Sequence, residues 1–186
     1  MSAAPTPLLT TLPLKLELYE RGLENRECRP VVAEDAPLLD ELIQHMIAFT
    51  LAHDGVGLSA PQVGIYIRLA VVVPEKNKAY ALINPEITSF GGRDLIDDEG
   101  CLSIPPANQA TARVTRSEII TLESGTIERP NAREVTKHKG LEARIIQHEI
   151  DHLQGIFFIN RVSQLQRSLV MKKYAKWRRQ HGMEAI

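Results

Sequence analysis

Apolar and polar residues follow different rhythms along the chain, and each rhythm marks an element. Leu38, Leu39, Leu42, Ile43, Met46, Ile47 and Leu51 recur at helical spacing. Asp35 offers an N-cap and Pro37 sits just inside the start, so the pattern predicts an amphipathic helix over 36–53, closed by Asp54 and Gly55. Residues 65–73 are a β-branched run and read as a strand. Residues 80–83 form a second short strand, stopped by Asn84 and Pro85, and 87–90 a third before Gly91 and Gly92. Residues 117–123 alternate polar and apolar, as a half-buried strand does. The polar stretch 128–139 suits a hairpin arm. A helix then starts at Gly140 and Leu141, with Gly155 as its C-terminal cap. The last helix spans 163–180, with Leu165, Leu169, Val170, Tyr174 and Trp177 on its apolar side. Residues 14–32 show no clear period, and 1–12 read as a loosely attached arm. Short strands flank separated helices without βαβ alternation. This predicts an α+β fold: antiparallel β-sheets packed around the central helix over 140–155, with a C-terminal helix.

Composition narrows the class. At 186 residues, 44% hydrophobic and 24% charged, the chain suits one domain with a sizeable core. The net charge is −1, so DNA is not an expected partner of the whole molecule. The charge is unevenly placed. From Arg161 onward stand Arg161, Arg167, Lys172, Lys173, Lys176, Arg178 and Arg179 against Glu184 alone, so the 163–186 region is a basic helix on an acidic body. Such a tail fits either a polyanionic partner or a solvated face. Two cysteines, Cys28 and Cys101, are too few for a disulfide framework. No signal-like segment is present, and no run approaches the roughly 18 apolar residues of a membrane span. A cytoplasmic protein with reduced thiols and no membrane partner is expected, and there a functional Cys is sooner a ligand or nucleophile than a bridge.

The chemistry centres on Gln147-His148-Glu149-Ile150-Asp151-His152-Leu153, an H-E-x-x-H motif. Residues four apart share a helix face, so the two imidazoles can converge on one metal ion. Glu149, beside the first His, is placed to act as general base for a water molecule. A catalytic site of this kind needs a third protein ligand. Cys101 is the first candidate, because Gly100 allows close approach and a thiolate binds divalent metals strongly. His138 is the rival. The segment 55–64 carries two glycines two apart, yet it follows a helix and leads into a strand, which is the wrong context for a phosphate loop. Its Gln62 has both a donor and an acceptor.

Three stretches occur in order: Gly55-Val56-Gly57-Leu58-Ser59-Ala60-Pro61-Gln62, Glu99-Gly100-Cys101-Leu102-Ser103, and the H-E-x-x-H segment. Together they resemble the three signature motifs of the peptide deformylase family, over about 38–163 of the chain. The resemblance implies Cys101, His148 and His152 as ligands of one divalent ion, commonly ferrous iron in bacterial members, though the ligand set also accepts zinc, nickel or cobalt. It implies Glu149 as the proton carrier, and Gln62 with the Leu102 amide as stabilisers of the formyl oxygen. The substrate would be an N-formylmethionyl nascent peptide, lying extended beside Val56, Gly57, Leu58, Glu99 and Gly100. Its methionine side chain would meet Leu141, Arg144 and Ile145.

Two residues depart from the family pattern. Arg144 and Asp97 stand where apolar pocket residues are usual. They are expected either to pair with one another or to face solvent, making the pocket mouth more polar. The Leu-Arg pair common near the family's N-terminus is replaced by Glu24-Asn25. Alternatives are a general H-E-x-x-H endopeptidase, a deformylase-like amidase for another formamide, and a non-catalytic relative. In some family members a C-terminal helix docks on the ribosome, which Lys172, Lys173, Lys176, Arg178 and Arg179 would suit.

Overall fold

The computed structural model describes residues 14–20 and 26–183. The expected arm over 1–12 and the Glu24-Asn25 departure lie outside them. Helix α1 spans Ala36–Ala52 and buries Leu39, Leu42, Ile43 and Met46. Asp35 occupies its N-cap, but the carboxylate turns to the Arg29 guanidinium at 2.7 and 2.8 Å and the Val32 amide at 3.0 Å.

Five strands form one antiparallel sheet in chain order: β1 Gly57–Ser59, β2 Leu69–Glu75, β3 Lys78–Glu99, β4 Ala112–Gly125 and β5 Glu134–Lys139. Residues 69–73 of β2 are buried on both faces. Alternation explains this. Leu69 and Val71 pack into the cluster of Leu39, Leu42 and Met46 from α1. Val72 packs the other way, with Ile120, Leu122 and the residues Ala143, Ile146 and Ile150 of the second helix, α2. The sheet therefore sits between α1 and α2, and α2 (Gly140–Leu153) is the inner helix.

The two strands expected at 80–83 and 87–90 are one. β3 runs through Asn84 and Pro85, with register shifts between Ile83 and Glu86 and again before Ser89 and Asp94. Proline lacks a ladder donor but is tolerated at a bulge. Asn84 takes φ 49° there and is held by Val31 at 2.8 and 2.9 Å. The last helix, α3, spans Gln164–Gln180 with Ser163 as N-cap. Val170 and Tyr174 face the cluster of Tyr19, Ile104, Phe157 and Phe158. Leu165 and Leu169, expected on that inner side, are 71% and 51% exposed instead.

Candidate metal centre

α2 presents His148 and His152 one turn apart, their rings edge to face at 4.9 Å. Cys101 enters from the turn that follows β3. Gly100 permits this turn, since a Cβ there would lie 1.9 Å from the Ala107 carbonyl oxygen. The ligand atoms of Cys101, His148 and His152 all fall within 4.8 Å of one another, and Cys101 Sγ is 3.3 Å from His152 Nε2. One sulfur and two imidazole nitrogens converging at this span suit a divalent transition metal with a further open position.

The surroundings orient each ligand. Glu99 Oε2 lies 3.0 Å from His148 Nδ1, which leaves the other ring nitrogen for the ion. Burial opposes charge on His148, yet Cys101 and Glu99 beside it hold its imidazole well above its usual range. His152 goes the opposite way, pushed well down by burial and by the neighbouring His148. Among the described residues, His152 Nδ1 and Glu149 Oε2 are buried without a hydrogen-bond partner. Burial pushes the Glu149 carboxyl up to about 7.

Behind the ligands runs a chain of buried charges. Arg116 donates to Glu99 at 3.0 and 2.9 Å and to Asp151 at 2.6 Å. Asp151 also binds Arg161. Arg144 donates to Glu99 at 2.7 Å, to the Val114 carbonyl at 3.0 Å and to the Leu95 carbonyl at 2.6 Å. Sequence reasoning missed Arg116 and Asp151. A signal existed for the first: Ala112, Val114 and Arg116 are the buried members of the alternating first half of β4, and an Arg in such a row calls for a buried anion.

Gln62 is fixed at both ends. Its Oε1 accepts from the Ser59 amide and hydroxyl, each at 2.9 Å. Its Nε2 donates toward Cys101 Sγ at 3.3 Å and Ser103 Oγ at 3.2 Å. The amide nitrogen therefore faces the ligand cluster.

These groups open on a cleft of about 700 Å³. Val56, Gly57, Gly100, Leu102, Leu141 and Ile145 line it. Leu58 does not: its side chain is wholly buried in the core, because the alternation of β1 turns it inward. Glu99 and Arg144 border the cleft, but their charged ends are engaged with each other. Of the two alternatives expected for Asp97 and Arg144, mutual pairing does not form: Asp97 faces solvent, and Arg144 is buried against Glu99. His138 is away from the ligands, 3.4 Å from Glu142.

Residues 16–168 match the family model described as polypeptide deformylase. The chain belongs to the polypeptide deformylase family. It is 43% identical to the peptide deformylase of Thermodesulfovibrio yellowstonii over 141 residues, covering 73% of this chain and 81% of that one. Identity to the Stenotrophomonas maltophilia peptide deformylase is 40% over 175 residues, covering 92% and 98% of the two chains. The fold matches the crystal structure of a peptide deformylase from Legionella pneumophila with a TM-score of 0.80 at 31% identity, over 92% of this chain and 98% of the other. The α+β fold read from the sequence is thus the fold of deformylases, and the Cys-His-His cluster is where this deformylase-family chain can take its divalent ion.

Proposed function

We propose that this chain hydrolyses the formamide of N-formylmethionyl nascent peptides, releasing formate and a free N-terminal amine. One observation carries the reading: the three ligand atoms, a buried carboxylate and an oriented amide nitrogen meet at a single cleft. Cys101, His148 and His152 would hold one divalent ion, ferrous iron natively. When bound, that ion supplies Lewis acidity toward water and the formyl oxygen.

The protein's own groups do the rest. Glu149 would take a proton from the attacking water and give it to the departing amine. Gln62 Nε2 and the Leu102 amide would donate to the formyl oxygen as negative charge develops there. The fixed orientation of Gln62 means no reorganisation is needed at that moment. β1 is an edge strand of the sheet, so an extended peptide can add along it beside Val56, Gly57 and Gly100. Leu141 and Ile145 would receive the methionine side chain.

Nascent chains place the work in the cytoplasm, at the ribosome, in one catalytic domain over 1–186. Lys172, Lys173, Lys176 and Arg179 are exposed on α3 and are the residues we propose for contact with ribosomal RNA, whereas Arg178, expected among them, is buried against Tyr174. Among the described residues, no helix is long and apolar enough to cross a membrane.

The test is formate release from formyl-Met-Ala-Ser by protein loaded anaerobically with ferrous iron, with Glu149→Ala as control. Rapid release by the parent and none by the variant is the expected result. No release from protein that holds one metal ion would turn the reading toward an amidase for another formamide. Cleavage of casein would turn it toward an endopeptidase.

A further inference from the structure

Residues 14–20 form an extended segment with no role in the site as described so far. The Glu17 amide donates to the Gln62 carbonyl at 2.7 Å, and the Tyr19 amide to the Ser103 carbonyl at 2.7 Å. Gln62 belongs to the short 3-10 turn Ala60–Val63, and Ser103 follows directly on Leu102 in a turn outside the sheet. Neither has a strand ladder to hold it. The two segments that carry the proposed formyl-oxygen donors are thus fastened to one strip of backbone.

Alternation gives this strip two faces. Leu16 and Leu18 line the cleft. Glu17 and Tyr19 do not. Glu17 borders a separate small cavity of about 20 Å³ beside His152, and Tyr19 is 1% exposed. Tyr19 is the anchor. Its ring meets Phe157 edge-on at 4.8 Å, its carbonyl accepts from the Tyr174 hydroxyl at 2.9 Å, and its hydroxyl accepts from Arg167 at 3.1 Å. Phe157 in turn meets His152 at 4.8 Å.

Resting on the deformylase reading, we infer that residues 14–20 are a positioning segment that sets the spacing between the Gln62 amide nitrogen and the Leu102 amide, while Leu16 and Leu18 wall the peptide cleft. Donors to a developing oxyanion lose much of their effect when displaced by a fraction of an ångström to an ångström. A hydrogen bond to each donor segment from a rigidly anchored strip restricts such displacement.

Glu17→Pro removes the amide hydrogen that reaches Gln62, and Glu17→Ala keeps it. With formyl-Met-Ala-Ser, Glu17→Pro is expected to lower kcat by about 10- to 100-fold with KM within about twofold, at unchanged metal content and Tm. Glu17→Ala should behave as the parent. Leu18→Ser should raise KM by about 3- to 10-fold at unchanged kcat, as loss of uniform binding does. A merely structural segment would show lower Tm or metal content with parental kcat per bound ion, and that result overturns the inference, as does a Glu17→Pro enzyme with parental kcat. Where Glu17→Pro does not fold, an ester in place of the amide at position 17 removes the hydrogen alone; a synthetic 1–27 segment joined to 28–186 at Cys28 provides it, and the same two outcomes apply. A parent that releases no formate refutes the deformylase reading itself, which separates that failure from this one.

Discussion

Arg144 Nη1 lies 2.7 Å from Glu99 Oε1, and Glu99 Oε2 lies 3.0 Å from His148 Nδ1. A residue that the sequence places at the pocket mouth is thereby part of the frame behind a candidate ligand. Breaking a buried ion pair by removing one partner costs roughly 3–5 kcal/mol. Glu99 keeps Arg116 here, so Arg144→Ile is expected to cost about 2–4 kcal/mol in urea denaturation. It should also speed loss of the ion to a chelator, because looser outer partners weaken metal sites. The ranking of formyl-Met, formyl-Leu and formyl-Glu peptides should stay parental. A changed ranking at unchanged stability would make Arg144 a substrate-binding residue instead.

Gly57 and Glu149 bear a relation of a different sort. A Cβ on Gly57 would sit 2.5 Å from Glu149 Oε1 and 2.9 Å from its Cδ. Gly57 is held in β1 opposite Val72, so the carboxylate must give way. Gly57→Ala is expected to lower kcat about 100-fold by misplacing Glu149, the proposed proton carrier. Its stability loss should stay near the roughly 1–3 kcal/mol of overpacking, and its metal content should be unchanged. Steady-state kinetics per bound ion checks this, and a parental kcat would show that Glu149 tolerates the shift.

The helices and the convergence of the two candidate imidazole ligands were legible because both rest on local spacing. α1 and α3 follow the apolar period, and His148 and His152 fall on one face of α2 by helical geometry alone. What escaped depends on partners distant in sequence. Asn84-Pro85 read as a strand end, since nothing local reveals a bulge secured by Val31. The inward turn of the Leu58 side chain also escaped, since only the register of β1 shows which face it takes. Leu165 and Leu169 kept the helical period, yet α3 presents Val170 and Tyr174 inward, so periodicity gave the face only approximately. Residues 14–20 looked structureless because their backbone amides, which no sequence pattern displays, do the holding.

Away from the site, the Arg29–Asp35 pair sets a pH dependence. The Arg29 guanidinium and the Val32 amide hold the Asp35 carboxyl below its ordinary value. A depressed folded-state pKa means that the unfolded chain binds the proton more readily. The stabilisation is therefore complete above the unfolded value near 4 and is lost as pH falls through the lower folded value. Asp35→Asn should cost about 1–2 kcal/mol at pH 7, within the range for hydrogen bonds to a charged group. The gap between parent and variant should close on acidification below pH about 4. Urea denaturation at pH 7 and pH 3 tests this, and an equal gap at both would remove the carboxylate charge as its cause.

Metal binding and catalysis can be separated through Cys101 and Glu149. An ion that binds only the folded chain stabilises it by about 4 kcal/mol at a free concentration of about 1,000 times its Kd. For a chain of this size each kcal/mol moves Tm by roughly 2–4 °C, so metal-free protein should gain about 8–16 °C on saturation. Cys101→Ser replaces the sulfur that lies 3.3 Å from His152 Nε2, and most of that gain should vanish. Glu149→Gln should keep the full gain while losing turnover, because the buried Glu149 stands beside the ligand cluster and not in it. Thermal melts of the three proteins with and without zinc make the distinction. Loss of the gain in Glu149→Gln as well would make the carboxylate a fourth ligand and leave the proton transfer to another group.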